Sequence, residues 1–297
     1  MIGHVYSLNV IDQCRVCNSA DLAPLYNSAR QQVNVWKCKR CKSKIVANDF
    51  SEEESQNVYE SAGEYYNQEA SDHETLLRQK ARDIARFIHN KESRKTLLDV
   101  GAGIGTFLNA ARDEGFEVHG LEFADLPIKI AHQKYGIVLA KRTLEDETSS
   151  YDIVTALSVL EHVHRPYAFV REAARVLQPG GILVIYAPAY GAFDRLAWYL
   201  YRLSGSKLTH LLDWRNTRAH LSILTEKALR WLVRAHGLGI VLVRRLCEYN
   251  QPIANYFRHV GIRSPSLLNA CSTSMRWLVS RNLFFRNNIL IYARKAL

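Results

Sequence analysis

Four of the six cysteines stand in two pairs, Cys14-Arg15-Val16-Cys17 and Cys38-Lys39-Arg40-Cys41, with 20 residues between the pairs. A C-x2-C turn places two thiolates on one knuckle, and two knuckles can close a tetrahedron around zinc. Basic neighbours (Arg15, Lys37, Lys39, Lys42) favour the ionised thiolates. The alternatives are free thiols or two disulfides. Disulfides need an oxidising compartment, and Met1 to Asp12 lacks the basic start and apolar run of a secretory leader. Four cysteine ligands leave no open coordination position, so the expected Zn2+ is structural.

The second constellation is Leu97-Leu98-Asp99-Val100-Gly101-Ala102-Gly103-Ile104-Gly105, an apolar strand running into a glycine turn before a helix opens at Thr106. Glycines let the backbone turn tightly and approach a ligand, and a helix N-terminus offers N–H groups to a polar group. Glu122 ends the next strand about 20 residues on, where a carboxylate accepts hydrogen bonds from ribose hydroxyls. A dinucleotide site of the form G-x-G-x-x-G would need a glycine where Thr106 stands. Asp99, just before the turn, suits the cationic methionine half of S-adenosylmethionine (SAM) better than a pyrophosphate. The plain alternative is a tight structural turn.

Strands and helices must alternate to hold such a loop. Candidate strands are 96–100, 117–122, 137–139, 153–157 and 182–186; candidate helices are 106–114, 126–135 and 168–177. Gly115 and Gly136 stand where helices should stop. This alternation predicts an α/β, doubly wound, Rossmann-like parallel sheet with right-handed crossovers. Leu76, Leu77, Ala81, Ile84, Phe87 and Ile88 recur at helical spacing, which predicts an amphipathic helix over 68–89. The expected domains are a zinc ribbon over 1–50, a helical linker or lid over 51–95, and a catalytic core over 96–297 with helical insertions near 190–218 and 250–286. On that division the donor site lies outside the ribbon.

Hydrophobic residues make up 47% of the chain and charged residues 23%, which is globular composition and excludes wholesale disorder. No uninterrupted apolar stretch reaches the roughly 18 residues of a membrane span. The expected location is therefore cytoplasmic. The net charge is +10, yet residues 201–297 alone hold 16 basic and 3 acidic side chains. A bias of this kind suits an anionic partner or simply a solvated basic face.

Four segments together resemble class I SAM-dependent methyltransferases. Residues 97–105 resemble the motif LDxGCGxG, with Ala102 in place of the cysteine. Ser158-Val159-Leu160-Glu161-His162-Val163 resembles VLEHV after the fourth strand. Arg175-Val176-Leu177-Gln178-Pro179-Gly180-Gly181 resembles RxLKPGG before the fifth. His220-Leu221-Ser222-Ile223-Leu224-Thr225 resembles HLxxFT. The ribbon, Tyr65-Tyr66 and Thr143-Leu144-Glu145-Asp146 match the zinc-ribbon branch of this family, which often acts on sugars, lipids and other small molecules. The likeness spans roughly residues 14 to 245. Ala187-Pro188-Ala189 departs from the common TPN on the substrate side.

The resemblance implies roles. Asp99, Gly101 and Gly103 line the methionine side, Glu122 the ribose, Phe123 the adenosine, Leu144 and Glu145 the adenine, and Ser158 the methionine end. Tyr65 and Tyr66 either close the pocket or pack between ribbon and core. The resemblance sets Glu161 and His162 beside the donor pocket. Glu161, His162, His164 and His220 are the nearby groups able to take a proton from an acceptor hydroxyl. Each histidine could instead make a structural hydrogen bond, and Glu161 could anchor a loop. It also implies an antiparallel last strand at 288–294. Aromatics such as Trp198, Tyr199 and Trp277 mix with arginines such as Arg195, Arg202 and Arg281 in the insertions, which suits a phosphorylated or lipid-linked saccharide or other small-molecule acceptor. The same charges would permit peripheral contact with an anionic membrane at its inner face. RNA is the rival partner, without a recognisable RNA-binding signature. A non-enzymatic SAM-binding scaffold is opposed by the presence of both Asp99 and Glu122.

Overall fold

The computed structural model describes residues 11–28, 33–47, 72–88, 95–205, 209–213, 219–247, 253–259, 262–281 and 286–297. The chain begins with three short strands, β1 (Leu22–Ser28), β2 (Val33–Cys38) and β3 (Lys44–Val46). Helix α1 (Asp72–Ile88) follows, then β4 (Thr96–Val100), α2 (Thr106–Asp113), β5 (Glu117–Leu121), α3 (Asp125–Tyr135), β6 (Tyr151–Leu157), α4 (Pro166–Arg175) and β7 (Leu177–Pro188). The second half holds α5 (Ala192–Leu203), α6 (His210–Asp213), β8 (Ser222–Ile223), α7 (Glu226–Ala235), β9 (Leu238–Leu246), α8 (Ile253–His259), α9 (Pro265–Ser280) and β10 (Asn288–Lys295).

The main sheet runs β5-β4-β6-β7-β10-β9. Its first four strands are parallel, and β10 lies antiparallel between β7 and β9. This is the predicted doubly wound sheet with the expected antiparallel last strand. Chain order reverses at β4, because β5 pairs on one side of it and β6 on the other. Parallel strands need helical crossovers, which cover both faces of the sheet, so their strands are buried. Leu97 and Leu98 of β4 and Leu183 to Ile185 of β7 are accordingly inaccessible. The α1 helix turns Ala81 and Ile84 into the core, as its periodicity predicts.

Residues 137–139 do not form the expected strand. One parallel bridge, Leu121 to Ala140, is all the ladder there. Ile137 and Leu139 are instead used as core side chains beside α2, with Leu108 and Phe107. Their apolar spacing therefore reports burial without extended pairing.

The ribbon strands do not stand apart from the core. β1, β2 and β3 form an antiparallel sheet whose last member is β8, through Lys44–Ile223 and Ile45–Ser222 pairing. All four ribbon cysteines lie in one apolar cluster with Leu98, Leu160, Leu224 and Leu229. A buried ion pair adds to the joint: Lys44 Nζ of β3 lies 3.0 Å from Asp194 Oδ1 in the first turn of α5, and each side chain is 1% exposed. Asp194 also accepts a 2.9 Å bond from the Gly191 N–H and so caps α5.

Removing one partner of a buried pair strands the other charge, at a cost of about 3–5 kcal/mol, whereas exposed pairs are worth under about 1 kcal/mol. Lys44→Met should therefore lower stability in urea unfolding by about 3–5 kcal/mol. Adding Asp194→Asn, which keeps a capping oxygen and removes the charge, should restore at least half. A loss below about 1 kcal/mol in Lys44→Met would show that the pair contributes no more than an exposed one.

Candidate donor site and the histidine cluster beside it

The glycine turn leaves β4 at the point where chain order reverses, the position at which open α/β sheets bind ligands. Gly101 and Gly103 hold φ of +69° and +52°, in the left-handed region. A Cβ on Gly101 would fall 2.8 Å from Val159 Cγ2, whereas one on Gly103 would meet nothing within 4 Å among the described residues. Gly101 is thus required by packing, and Gly103 opens onto space that a ligand can fill.

Glu122, just past β5, faces that space. Its Oε2 accepts from the Gly103 N–H at 2.8 Å, and its Oε1 accepts from the N–H groups of Phe123 at 2.8 Å and Ala124 at 3.2 Å. Asp99 lies buried at the end of β4 and accepts from Thr155 Oγ1 at 2.5 Å. Burial pushes its carboxyl up to about 7, with the Glu122 charge adding to the rise and the Thr155 bond opposing it. Thr155 was not singled out from the sequence. Its signal is a polar residue inside an otherwise apolar strand, paired directly with Asp99 across the β4–β6 ladder.

Phe123 is exposed beside Glu122. Leu144 is buried and Glu145 exposed. Their carbonyls accept from Arg175 Nη2 at 3.1 and 3.4 Å. Arg175 opens the segment resembling RxLKPGG, so that motif anchors the loop implied for adenine. Ser158 follows β6 with φ of +58°, held by its N–H donating to the Tyr186 carbonyl at 2.8 Å. A left-handed non-glycine residue is uncommon and tends to mark functional turns. Tyr65 and Tyr66 lie outside the described residues.

Beyond Ser158 the chain turns, with the His162 N–H donating to the Val159 carbonyl at 2.9 Å. This brings Glu161, His162 and His220 together, with ligand-type atoms all within 4.8 Å of one another. Glu161 is 2% exposed, and burial raises its carboxyl to about 8. His162 Nδ1 lies 2.7 Å from the Ala219 carbonyl oxygen, which can only accept, so Nδ1 carries the proton. Burial, reinforced by His220, drives His162 down to about 3 despite that bond. His162 is therefore neutral at physiological pH, with its unprotonated nitrogen at Nε2. His164 is turned away from this group: its Nδ1 accepts from Arg15 Nη1 of the first cysteine knuckle at 3.1 Å.

The cysteines form the second predicted site. Cys14 Sγ lies 3.7 Å from Cys41 Sγ, and Cys17 Sγ 3.6 Å from Cys38 Sγ. Four sulfurs at about 2.3 Å from one zinc would stand about 3.8 Å apart, so the set fits a tetrahedral ion. Each knuckle ends on a left-handed residue, Asn18 (φ 54°) or Lys42 (φ 63°), whose N–H donates to the carbonyl of the first cysteine. Hydrogen bonding from Cys14 pulls the Cys41 thiol down to about 5, while the same contact raises Cys14. Burial pushes the Cys17 thiol up to about 11, so of these three only Cys41 is held toward the thiolate.

A family model described as a methyltransferase domain matches residues 72–243. The chain belongs to this methyltransferase-domain family, as a class I SAM-dependent methyltransferase. The match begins after the cysteines, so it does not cover the ribbon. The chain is 27% identical over 188 residues to the ubiquinone biosynthesis O-methyltransferase of Paracidovorax citrulli, covering 60% of this chain and 76% of that one. It is 33% identical over 165 residues to the protein of that name from Idiomarina loihiensis, covering 51% and 65%. Among solved structures, magnesium protoporphyrin IX methyltransferase from Synechocystis PCC 6803 shares the fold at a TM-score of 0.55 and 14% identity, covering 83% of this chain and 100% of that one. The complex between the Haloferax volcanii Trm112 methyltransferase activator and a methyltransferase matches at 0.53 and 16% identity, covering 78% and 97%.

The raised carboxyl of Asp99 gives a pH test of whether it meets the donor. Its ordinary value is 3.8 and its folded value about 7, so the ligand-free fold loses the stability carried by the neutral acid as pH rises through 7. An ammonium of SAM held at Asp99 would favour the carboxylate. SAM affinity should therefore fall as pH drops below about 7, by up to about tenfold per unit, with a proton released on binding at pH 6. Calorimetry in buffers of different ionisation enthalpy reads that proton. Asp99→Asn should bind more weakly and without the pH dependence; an unchanged profile would exclude Asp99.

Proposed function

We propose that the chain transfers the methyl group of SAM to a hydroxyl oxygen of a small-molecule acceptor. The observation that carries this reading is the cluster formed by Glu161 and His162, on the loop that packs against the glycine turn through Val159 and Gly101, with His220 from the segment before β8. The curated relatives are named O-methyltransferases, which supports oxygen as the acceptor atom. SAM, when bound, supplies an electrophilic methyl on sulfur. Glu122 holds the ribose, Asp99 the ammonium, Phe123 the adenosine, Leu144 and Glu145 the adenine edge, and Ser158 the methionine end. Gly103 leaves the room this requires. Fixing donor and acceptor in line and excluding water supplies much of the rate. The Glu161–His162–His220 cluster is where the hydroxyl loses its proton.

The acceptor we favour is anionic, a phosphorylated or lipid-linked saccharide or related small molecule met at the inner face of an anionic membrane. The outer side of α5 supports this reading. Arg195, Leu196, Tyr199, Arg202 and Leu203 recur there at helical spacing and are exposed, Tyr199 at 61% and Leu203 at 82%. Ala197, one of the residues between them, turns inward onto Tyr26, Val33 and Leu212. A basic, apolar outer stripe of this kind suits a lipid surface. No helix among the described residues is long and apolar enough to cross a membrane.

Purified protein should be given SAM labelled in the methyl group together with hydroxylated small molecules, a cell-envelope extract, or RNA. Label should enter the first two as base-stable ethers and leave RNA unmarked. Incorporation into RNA alone would overturn this reading.

A further inference from the structure

We propose that Thr155 is a positioning residue for the donor: its hydroxyl proton turns between the Asp99 carboxylate and the Leu98 carbonyl as the charge of the ligand arrives and leaves. Thr155 lies in β6 at 0% exposure, in a run whose neighbours Ile153, Val154 and Ala156 are apolar and buried. A hydroxyl in such a place is costly unless it is hydrogen-bonded, and a valine would suit the strand equally well. What the hydroxyl adds is contact with two acceptors. Its Oγ1 lies 2.5 Å from Asp99 Oδ1 and 3.4 Å from the Leu98 carbonyl oxygen. A threonine hydroxyl has one proton to give, so only one of the two can receive it fully at a time.

The two arrangements match the two protonation states of Asp99. When Asp99 is ionised, the hydroxyl donates to it, and a bond to a charged acceptor is the stronger one. When Asp99 is neutral, its own O–H donates to Thr155 Oγ1, and the hydroxyl turns to the Leu98 carbonyl. The bond between the two side chains therefore survives in either state, at a place where Asp99 is itself only 3% exposed. A fixed donor such as a backbone N–H, which cannot accept, would serve the ionised state alone.

The surroundings leave this task to Thr155. Across the ladder Asp99 faces Gly120 on β5 and Thr155 on β6, so neither strand brings a charge to its register. Among the described residues, the charged group acting on Asp99 is Glu122, past the end of β5, and it opposes ionisation. The inference rests on the contact proposed above between Asp99 and the ammonium of SAM. That ammonium drives the Asp99 proton out to solvent water, and the Thr155 hydroxyl then turns to hold the carboxylate. No covalent bond to the ligand is made.

Thr155→Val keeps the shape and removes the hydroxyl, and Thr155→Ser returns it. Cooperative thermal unfolding of each full-length variant checks folding. In SAM-free protein, carbon-13 NMR of the Asp99 carboxyl reads its titration midpoint. That midpoint should rise by about one pH unit in Thr155→Val and return to the wild-type value in Thr155→Ser. By calorimetry, SAM affinity should fall about tenfold in Thr155→Val at pH 6 and less than about twofold at pH 8.5, where the carboxylate prevails in both proteins. The amine of SAM titrates alike against both proteins, so it cancels from the ratio. A midpoint unmoved in Thr155→Val would overturn the proposal, whatever happens to SAM. So would a loss of affinity equal at both pH values in a wild-type background that does vary with pH, since that is the mark of a hydroxyl that only packs. A midpoint that moves, in a protein whose SAM affinity ignores pH, would refute the contact between Asp99 and the ammonium, and with it any part for Thr155 in donor binding.

Discussion

The carboxylate of Glu122 ties the glycine turn to the strand beside it. It takes one N–H from Gly103 across the crevice and two from the backbone that follows β5. Hydrogen bonds to an ionised acceptor are about twice as strong as neutral ones, so this group fixes both walls of the crevice at once. Its charge also acts on Asp99, which burial already holds toward the neutral acid. Two acids thus sit under an open space above Gly103, and one of them is poised near neutrality. A ligand carrying positive charge relieves that strain, whereas a pyrophosphate would add to it. The preference for SAM over a dinucleotide is therefore electrostatic as much as steric.

The histidine cluster depends on a second set of constraints, which arrives from the ribbon. The Val46 N–H donates to the Leu221 carbonyl, and the Ser222 N–H to the Glu161 carbonyl. Thr225 Oγ1, which caps α7, also donates to the Cys41 carbonyl at 2.7 Å. The segment that carries His220 is thereby fixed between a cysteine knuckle and the loop bearing Glu161 and His162. A structural zinc in the ribbon would therefore help to hold the segment that carries His220 in place. The Arg15–His164 contact is a further bond between knuckle and loop.

Local patterns made much of this legible in the sequence. Thr96–Val100 and Glu117–Leu121 form parallel neighbours as read; the first is a largely apolar, buried run ahead of a glycine, whereas the second is an edge strand with Glu117 and His119 exposed. The paired cysteines and the Asp99 to Glu122 spacing likewise report sites that the fold assembles. Contacts distant in the chain were not legible. The two-residue β8 is too short to announce itself, and it exists because β3, some 180 residues earlier, supplies its partner. Thr155 gains meaning only from its register with Asp99. The Ala219 carbonyl, which fixes the tautomer of His162, has no sequence signature at all. Residues 137–139 gave the opposite error, since alternating apolar side chains report an inward face whether or not a ladder forms.

The central claim is that the crevice bounded by Gly103 and Glu122 binds SAM through that carboxylate. Calorimetric titration of SAM into wild type and Glu122→Ala tests it directly. Loss of hydrogen bonds to a charged acceptor should weaken binding by about 1.5–3 kcal/mol, roughly tenfold to more than a hundredfold in Kd. Unchanged SAM affinity in a folded Glu122→Ala protein would contradict the account.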